Sequence, residues 1–202
     1  MKAIKWLPLV FVYVAMVFSS CGKEKDESSA DEQLKYKYYK MEHAGWKSKT
    51  HTQKVDDISF NATEVPTQYY LLKELGSNNL AEIDSVYEQN KMERLVEFQF
   101  MQDDEKDLLA KEFTGMDYQE SVKYMSFSIE RDFYAVTSKH DTIQCSGVTF
   151  ERNFKIAPNQ KLLLFFTGIP PEDRIQLVYQ DYLFNKGVLK FTFNEKTKKL
   201  LL

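Results

Sequence analysis

Apolar residues form one nearly unbroken block at the start of the chain, whereas further along they recur at the spacing of helices and strands. From Trp6 to Phe18 every residue except Pro8 is apolar or aromatic, and Lys2 and Lys5 precede the block. A basic end, an apolar core and small residues are typical of a secretory signal peptide. The core is also shorter than the ~20 apolar residues of a membrane-spanning helix. We therefore predict a signal peptide over residues 1–20.

A short, highly charged stretch follows the apolar block. Residues 22–33 carry no large apolar side chain, so we expect them to stay extended and solvated rather than join a core. At ~3.3 Å per residue, such a segment spans up to ~40 Å. We predict a flexible tether over residues 21–34.

Residues 35–125 show mainly helical spacing and are expected to form a mixed helical region that packs on a sheet. One strand, Leu95–Met101, is predicted from its alternation of apolar and polar residues. Four helical segments are predicted: one between Pro66 and Gly76, one that begins at the capping-box spacing of Asn79 and Glu82, one over Asp103–Phe113 and one over Asp117–Met125.

Residues 126–202 change to strand-like patterns separated by turn residues. The predicted strands are Phe127–Ile129, Phe133–Val136, Thr142–Phe150, a fully buried run at Leu162–Phe166, Ile175–Tyr179 and Leu189–Phe193. Several short strands at regular spacing favour an antiparallel β-sandwich. The predicted fold class is therefore α+β, with short helices in the N-terminal half and the sandwich in the C-terminal half.

The residues that end the apolar block carry a resemblance. Phe18-Ser19-Ser20-Cys21 resembles the lipobox of bacterial lipoproteins, which implies cleavage before Cys21 and attachment of lipid, palmitate included, to this cysteine. Two acyl chains anchor far better than one, because each buried methylene contributes ~0.8 kcal/mol. The competing interpretation is an ordinary signal peptide with a stray cysteine beside it.

The charged run behind Cys21 resembles the signal that exports some Bacteroidota lipoproteins to the outer membrane surface, although a plain spacer accounts for it equally well. The resemblance implies an exported protein that is lipid-anchored to the cell envelope. It implies the outer membrane in particular, with the folded part periplasmic or surface-exposed.

A second resemblance concerns the fold. Gly147–Phe193, with its Pro158-Asn159 turn, its Leu162–Phe166 run and Pro170, resembles the closing strands of immunoglobulin-like domains in bacterial lipoproteins. The whole chain resembles small lipoproteins of flavobacterial type. These resemblances imply a fold and no particular activity.

Net charge and cysteine content limit the kinds of partner that we expect for this protein. The signal holds two of the 27 basic residues and none of the 30 acids, which leaves a formal charge near −5 on the rest and argues against nucleic acid as a partner. With Cys21 lipidated, Cys145 is a lone thiol within a predicted strand, and a buried, core-like cysteine is favoured over a reactive or intermolecular one. The sequence leaves the oligomeric state open.

The sequence offers no catalytic, metal or cofactor signature. His43, His51 and His140 lack zinc-ligand spacing and are interpreted as surface histidines, and only seven glycines are present to form a phosphate-binding loop. His140 lies close to Cys145, but a turn residue and a strand residue should point apart, so a thiol–imidazole pair is not expected. The acid pairs Asp56-Asp57, Asp103-Asp104 and Glu172-Asp173 stand where turns and helix starts favour acids.

Two hypotheses follow from different classes of function. The favoured one is a non-catalytic, membrane-tethered binding or interaction module, with an envelope protein or a glycan as partner and Tyr36, Tyr38 and Tyr39 as candidate stacking residues. The alternative is an envelope hydrolase that uses a carboxylate pair. Ser85 and Thr142 also fit the short Asp-Ser/Thr-apolar motif that is glycosylated in exported Bacteroidota proteins.

Overall fold

A computed structural model describes residues 49–75, 80–153 and 158–194. Within these ranges the elements are, in chain order, β1 (His51–Val55), β2 (Ile58–Val65), α1 (Thr67–Leu75), α2 (Leu80–Gln89), β3 (Glu93–Gln102), α3 (Lys111–Thr114), α4 (Tyr118–Phe127), a 3₁₀ helix (Ile129–Asp132), β4 (Phe133–Thr137), β5 (Thr142–Gln144), β6 (Gly147–Glu151), β7 (Gln160–Thr167), β8 (Ile175–Asp181) and β9 (Gly187–Phe193).

The strands form two antiparallel sheets. Sheet 1 has the order β1-β2-β3-β7-β6, and sheet 2 has the order β5-β4-β8-β9. The chain crosses between them at Cys145 and Ser146, because the Cys145 N–H donates to the Phe133 carbonyl of sheet 2 and the Ser146 N–H to the Phe165 carbonyl of sheet 1. At the opposite edge, the Gln53 side-chain amide of β1 donates to the Lys190 carbonyl of β9. Contacts at both edges limit the strand surface that is open to pairing with other chains.

The inner faces of the two sheets share one aromatic core. Phe98 of sheet 1 lies 5.0 Å from Phe133, 5.3 Å from Tyr179 and 5.4 Å from Phe191 of sheet 2, measured between ring centroids. Phe133 and Tyr179 stack at 4.4 Å with an interplanar angle of 13°. Such ring pairs contribute ~0.5–1.5 kcal/mol each beyond the burial of their area.

Helices α1 and α2 cover the outer face of sheet 1. Leu95 and Phe165 are register partners on β3 and β7, and Phe165 contacts Tyr70 of α1 at 6.0 Å, so both strand residues face the helices. Leu95 is fully buried there, as are Leu72 of α1 and Ile83 of α2. The helices therefore have a small apolar core of their own.

The α+β class with antiparallel sheets is confirmed, and most of the predicted elements are present. Helices form at Thr67–Leu75, Leu80–Gln89 and Tyr118–Phe127, and strands form at Glu93–Gln102 and Phe133–Thr137. The predicted strands near Leu162–Phe166, Ile175–Tyr179 and Leu189–Phe193 are present as β7, β8 and β9.

The division into a helical half and a strand half is wrong. β1, β2 and β3 lie before residue 126 and supply three of the five strands of sheet 1. The predicted strand Thr142–Phe150 is two strands, since the crossing at Cys145 places β5 and β6 in different sheets. The Leu162–Phe166 run alternates between buried and half-buried residues, because its outer face meets the helices and solvent.

Two other local predictions are wrong for local reasons. The helix over Asp103–Phe113 is reduced to Lys111–Thr114, because the Gln102 side-chain oxygen accepts the backbone N–H groups of Asp104 and Lys106 and holds a turn. The predicted strand at Phe127–Ile129 is instead the end of α4 and the start of the 3₁₀ helix.

Candidate functional site

Several residues singled out from the sequence lie outside the described ranges. These are the predicted lipidation site Cys21, the histidine His43 and the candidate stacking residues Tyr36, Tyr38 and Tyr39. Across residues 49–75, 80–153 and 158–194, no helix is long and apolar enough to cross a membrane.

The other two histidines and the free cysteine have different surroundings in the fold. His51 of β1 packs edge-on against Phe193 at 5.1 Å, and His140 is exposed in the β4–β5 turn. Cys145 is buried and its thiol donates to the Gly147 carbonyl at 3.2 Å. Burial raises the pKa of Cys145 to about 11, so the thiol stays protonated at neutral pH. The prediction of a core-like cysteine is confirmed.

The acid pairs predicted for turns do lie in loops and engage nearby chain. Asp57 accepts a hydrogen bond from Gln102 at 3.1 Å, and this bond is the main reason that its pKa is lowered. Asp103 pairs with Lys54 at 2.7 Å, while Asp173 accepts the Arg174 N–H at 2.8 Å. Among the residues that the structure describes, no group of three histidine, cysteine or acidic side chains is arranged to hold a metal ion.

The most unusual polar group is a set of two tyrosines and two aspartates that we name the acid–tyrosine cluster: Tyr124, Asp132, Tyr179 and Asp181. The Tyr124 hydroxyl of α4 donates to Asp132 Oδ2 at 2.7 Å, and the Tyr179 hydroxyl of β8 donates to Asp181 Oδ1 at 2.7 Å. Asp132 is 1% exposed and Asp181 is 4% exposed. Two carboxyl groups are thus withdrawn from water at the junction of α4, the 3₁₀ helix and β8.

Asp181 is fully engaged in building a loop. Besides the Tyr179 hydroxyl, its Oδ1 accepts the backbone N–H groups of Leu183 at 3.0 Å and Phe184 at 2.9 Å, and its Oδ2 accepts the Lys186 N–H at 3.0 Å. These backbone donors hold the loop after β8 around the Asp181 side chain. Asp181 therefore shapes the turn between β8 and β9.

Asp132 has much weaker support for its charge. Burial is the largest influence on it and raises its pKa to about 6; the Tyr124 hydrogen bond and the Arg131 charge lower the pKa, and the Asp181 charge raises it further. Burial, aided by the bond to Asp132, also raises the pKa of Tyr124 well above its usual value. The cluster thus contains a carboxyl group, that of Asp132, whose pKa of about 6 lies just below neutral pH.

No pattern in the sequence indicates this cluster. Tyr124 and Asp132 are eight residues apart, and Asp132 belongs to no motif. The turn of the chain from α4 into the 3₁₀ helix brings the two side chains together.

A second buried polar group ties a loop to sheet 1. Arg94 of β3 forms an ion pair with Glu64 of β2, and both side chains are 3% exposed. Arg94 Nη1 also donates to the carbonyls of Pro170 at 2.9 Å and Asp173 at 3.0 Å. Arg94 therefore fixes the loop between β7 and β8, and it uses its N–H donors for bonds within the protein.

Large aromatic side chains remain on the surface near the acid–tyrosine cluster. Phe127, at the end of α4 and three residues after Tyr124, is 82% exposed, and Tyr182, next to Asp181, is 55% exposed. The exposed residues Lys123 and Arg131 stand four positions before and after Phe127. The glycosylation-motif residues Ser85 and Thr142 are exposed as well.

Comparisons with known proteins provide no family. No protein-family model matches the chain, and no curated protein matches it. A solved structure of a protein of unknown function from Burkholderia pseudomallei aligns with a TM-score of 0.36 at 7% sequence identity, covering 84% of this chain and 88% of that chain. A similarity of this size carries no argument about function.

Proposed function

We propose that this protein is a lipid-anchored lipoprotein of the bacterial cell envelope that acts as a non-catalytic binding or interaction module. The observation that carries the proposal is the order of basic end, apolar block and Phe18-Ser19-Ser20-Cys21, followed by a charged tether. The outer membrane is the proposed location, on the resemblance of the charged residues after Cys21 to an export signal. The immunoglobulin-like character of the closing strands stays a prediction.

The interaction role is supported by the exposed aromatic surface. Phe127 is 82% exposed, and aromatic side chains are enriched among the residues that anchor protein–protein interfaces. Phe127 and Tyr182 are therefore candidate contact residues within the described ranges, beside Tyr36, Tyr38 and Tyr39, which stay predictions from the sequence. An envelope protein or a glycan would be the partner.

The alternative, an envelope hydrolase, finds its best carboxylate pair in Asp132 and Asp181. Their burial argues against it, because a glycosidase carboxyl must reach the bond that it cleaves. Asp181 is in addition committed to three backbone N–H groups. We therefore favour a structural role for this pair.

The anchor is tested by growing cells that express the full chain with an alkyne analogue of palmitate. We expect the wild type and Cys145→Ala to carry the label and Cys21→Ala to lose it, together with the mass shift of signal cleavage. Label that persists in Cys21→Ala would overturn the lipoprotein assignment.

The interaction role is tested by placing a photoreactive phenylalanine analogue at position 127 in living cells. We expect a specific crosslinked adduct, whereas the same analogue at Met101, which is 39% exposed on sheet 1, should give none. Equal adducts at both positions, or none above background at position 127, would argue against a binding surface here.

A further inference from the structure

The junction of α4, the 3₁₀ helix and β8 depends on one buried carboxyl group. Asp132 ends the 3₁₀ helix and is 1% exposed, and its side chain accepts the Tyr124 hydroxyl of α4 at 2.7 Å. The next residue, Phe133, stacks on Tyr179 of β8 at 4.4 Å. Protonation or ionisation of the Asp132 carboxyl group therefore affects the contacts among α4, the 3₁₀ helix and β8.

Among the residues that the structure describes, the groups that face Asp132 do not balance a negative charge. From α4 it meets the neutral phenol of Tyr124, and from the end of β8 it meets the carboxylate of Asp181, which has its own hydrogen bonds. Within its own helix, Arg131 favours the charged form, but this side chain is exposed and donates to the Ser128 carbonyl at 3.2 Å. Burial without a close cation favours the neutral acid.

The other strands that pack against the 3₁₀ helix add no compensating cation. β4 carries one titratable residue, Tyr134, which alternates with Phe133 and so faces away from the core. β6 carries Glu151, which is exposed and pairs with Lys161 at 3.7 Å. Ionisation of Asp132 would thus leave a charge in the interior beside another carboxylate.

We propose that the Tyr124–Asp132 pair is a proton-operated latch that holds the end of α4 and the 3₁₀ helix against β8. With the proton bound, the carboxyl is neutral and the junction stays closed. Without it, local opening brings the carboxylate into water and relieves the burial of charge. Phe127 lies inside the latched segment, so the proton also controls how rigidly this exposed aromatic is presented. The inference goes beyond the proposed function, because it requires neither an anchor nor a partner.

The direction of the pH effect follows from linkage. Asp132 has a pKa of about 6 in the closed junction, and an ordinary value near 3.8 applies once it is solvated. The opening equilibrium should therefore rise with pH between these two values, by about a hundredfold in total, and stay level above them. The junction is tightest in acid and loosest at neutral pH.

Hydrogen exchange of the full chain between pH 4 and pH 7, corrected for intrinsic exchange rates, tests the latch. We expect wild-type amides at 118–132 to lose at least about tenfold in protection as the pH rises. Asp132→Asn, which keeps an acceptor for Tyr124 but cannot ionise, should show no such change. Glu130→Gln, an exposed acid in the same helix, should behave as the wild type. Equal pH dependence in the wild type and Asp132→Asn would overturn the proposal.

A second measurement does not depend on the folding of a variant. The side-chain carboxyl of Asp132 can be titrated in the wild-type chain by carbon NMR with labelled aspartate. A midpoint near pH 6 supports the latch, and a midpoint near 3.8 would refute it even if Asp132→Asn failed to fold.

Discussion

At the scale of single residues, burial decides what Cys145 can do. Its thiol lies between the two sheets and its pKa is raised to about 11. We predict that a thiol reagent at pH 7.5 labels Cys145 in the folded Cys21→Ser chain far more slowly than in the same chain in guanidinium chloride, because the thiolate is both scarce and shielded. The absorbance of the thiol that the reagent releases on reaction with the cysteine reports the rate of labelling.

A matched cysteine on the surface controls for the reagent. Ser138→Cys places a thiol in the exposed turn between β4 and β5, and this variant should react at the rate of a free thiol. If Cys145 reacted as fast as the turn cysteine in the folded chain, the core assignment would be wrong.

The buried pair of Arg94 and Glu64 shows how much one residue can hold. We predict that Arg94→Met lowers the free energy of unfolding by about 3–5 kcal/mol, because it leaves the Glu64 carboxylate buried without its cation. The loop carbonyls of Pro170 and Asp173 also lose their donor. Urea denaturation measures the change.

Replacing both partners separates the charge from the packing. Arg94→Met with Glu64→Leu should regain much of the loss, since no unpaired charge remains. Arg131→Met, at an exposed arginine, should change stability by less than about 0.5 kcal/mol. A loss in Arg94→Met below about 1 kcal/mol would mean that the pair is not an important anchor.

At the scale of elements, the start of α4 is fixed by a reciprocal cap. The Asp117 carboxylate accepts the Glu120 N–H at 2.8 Å, and Glu120 accepts the Asp117 N–H at 3.1 Å. We predict that Asp117→Ala costs about 1 kcal/mol of stability, whereas Gln119→Ala, exposed in the same turn, costs little. Thermal unfolding followed by circular dichroism compares them, and equal midpoints would show that the cap is dispensable.

Elements with a strong period of their own could be predicted from the sequence, and the others could not. The spacing of Val122 and Met125 indicates α4 correctly, because local periodicity and tertiary burial agree there. The charged run after Gln102 has good helix formers, yet side-chain bonds from Gln102 and Asp107 to the backbone hold turns instead. No local pattern reports those bonds.

At the scale of the whole molecule, strand order is the part that local patterns do not encode. β3 pairs with β7 although their register partners are 60 to 74 positions apart in the chain, and the switch of sheets at Cys145 interrupts a run that looks continuous in the sequence. The polar strand β1 has only Val55 as an aliphatic residue, so nothing in its pattern indicates a strand. The acid–tyrosine cluster is hidden for the same reason, since its two halves come together only once the 3₁₀ helix packs against β8.

Because both sheets contribute to one aromatic core, we predict that they unfold together. Phe98 contacts three rings of sheet 2. We therefore expect Phe98→Ala to lower the free energy of unfolding by about 3–5 kcal/mol and to weaken both sheets at once. Far-ultraviolet and near-ultraviolet circular dichroism should then report a single, coincident transition in urea. Two separate transitions would show that the sheets are independent folding units.

Phe98 is buried and Phe127 is exposed, so comparing their alanine variants separates an effect on folding from an effect on binding. Phe127→Ala should leave the unfolding transition within about 0.5 kcal/mol of the wild type, because an 82% exposed ring has little packing to lose. If Phe127 is part of a binding surface, Phe127→Ala should weaken binding of the partner that the crosslinking experiment identifies, while the fold stays intact. Loss of stability comparable to Phe98→Ala would show that the ring belongs to the core, and the surface proposed for it would have to be abandoned.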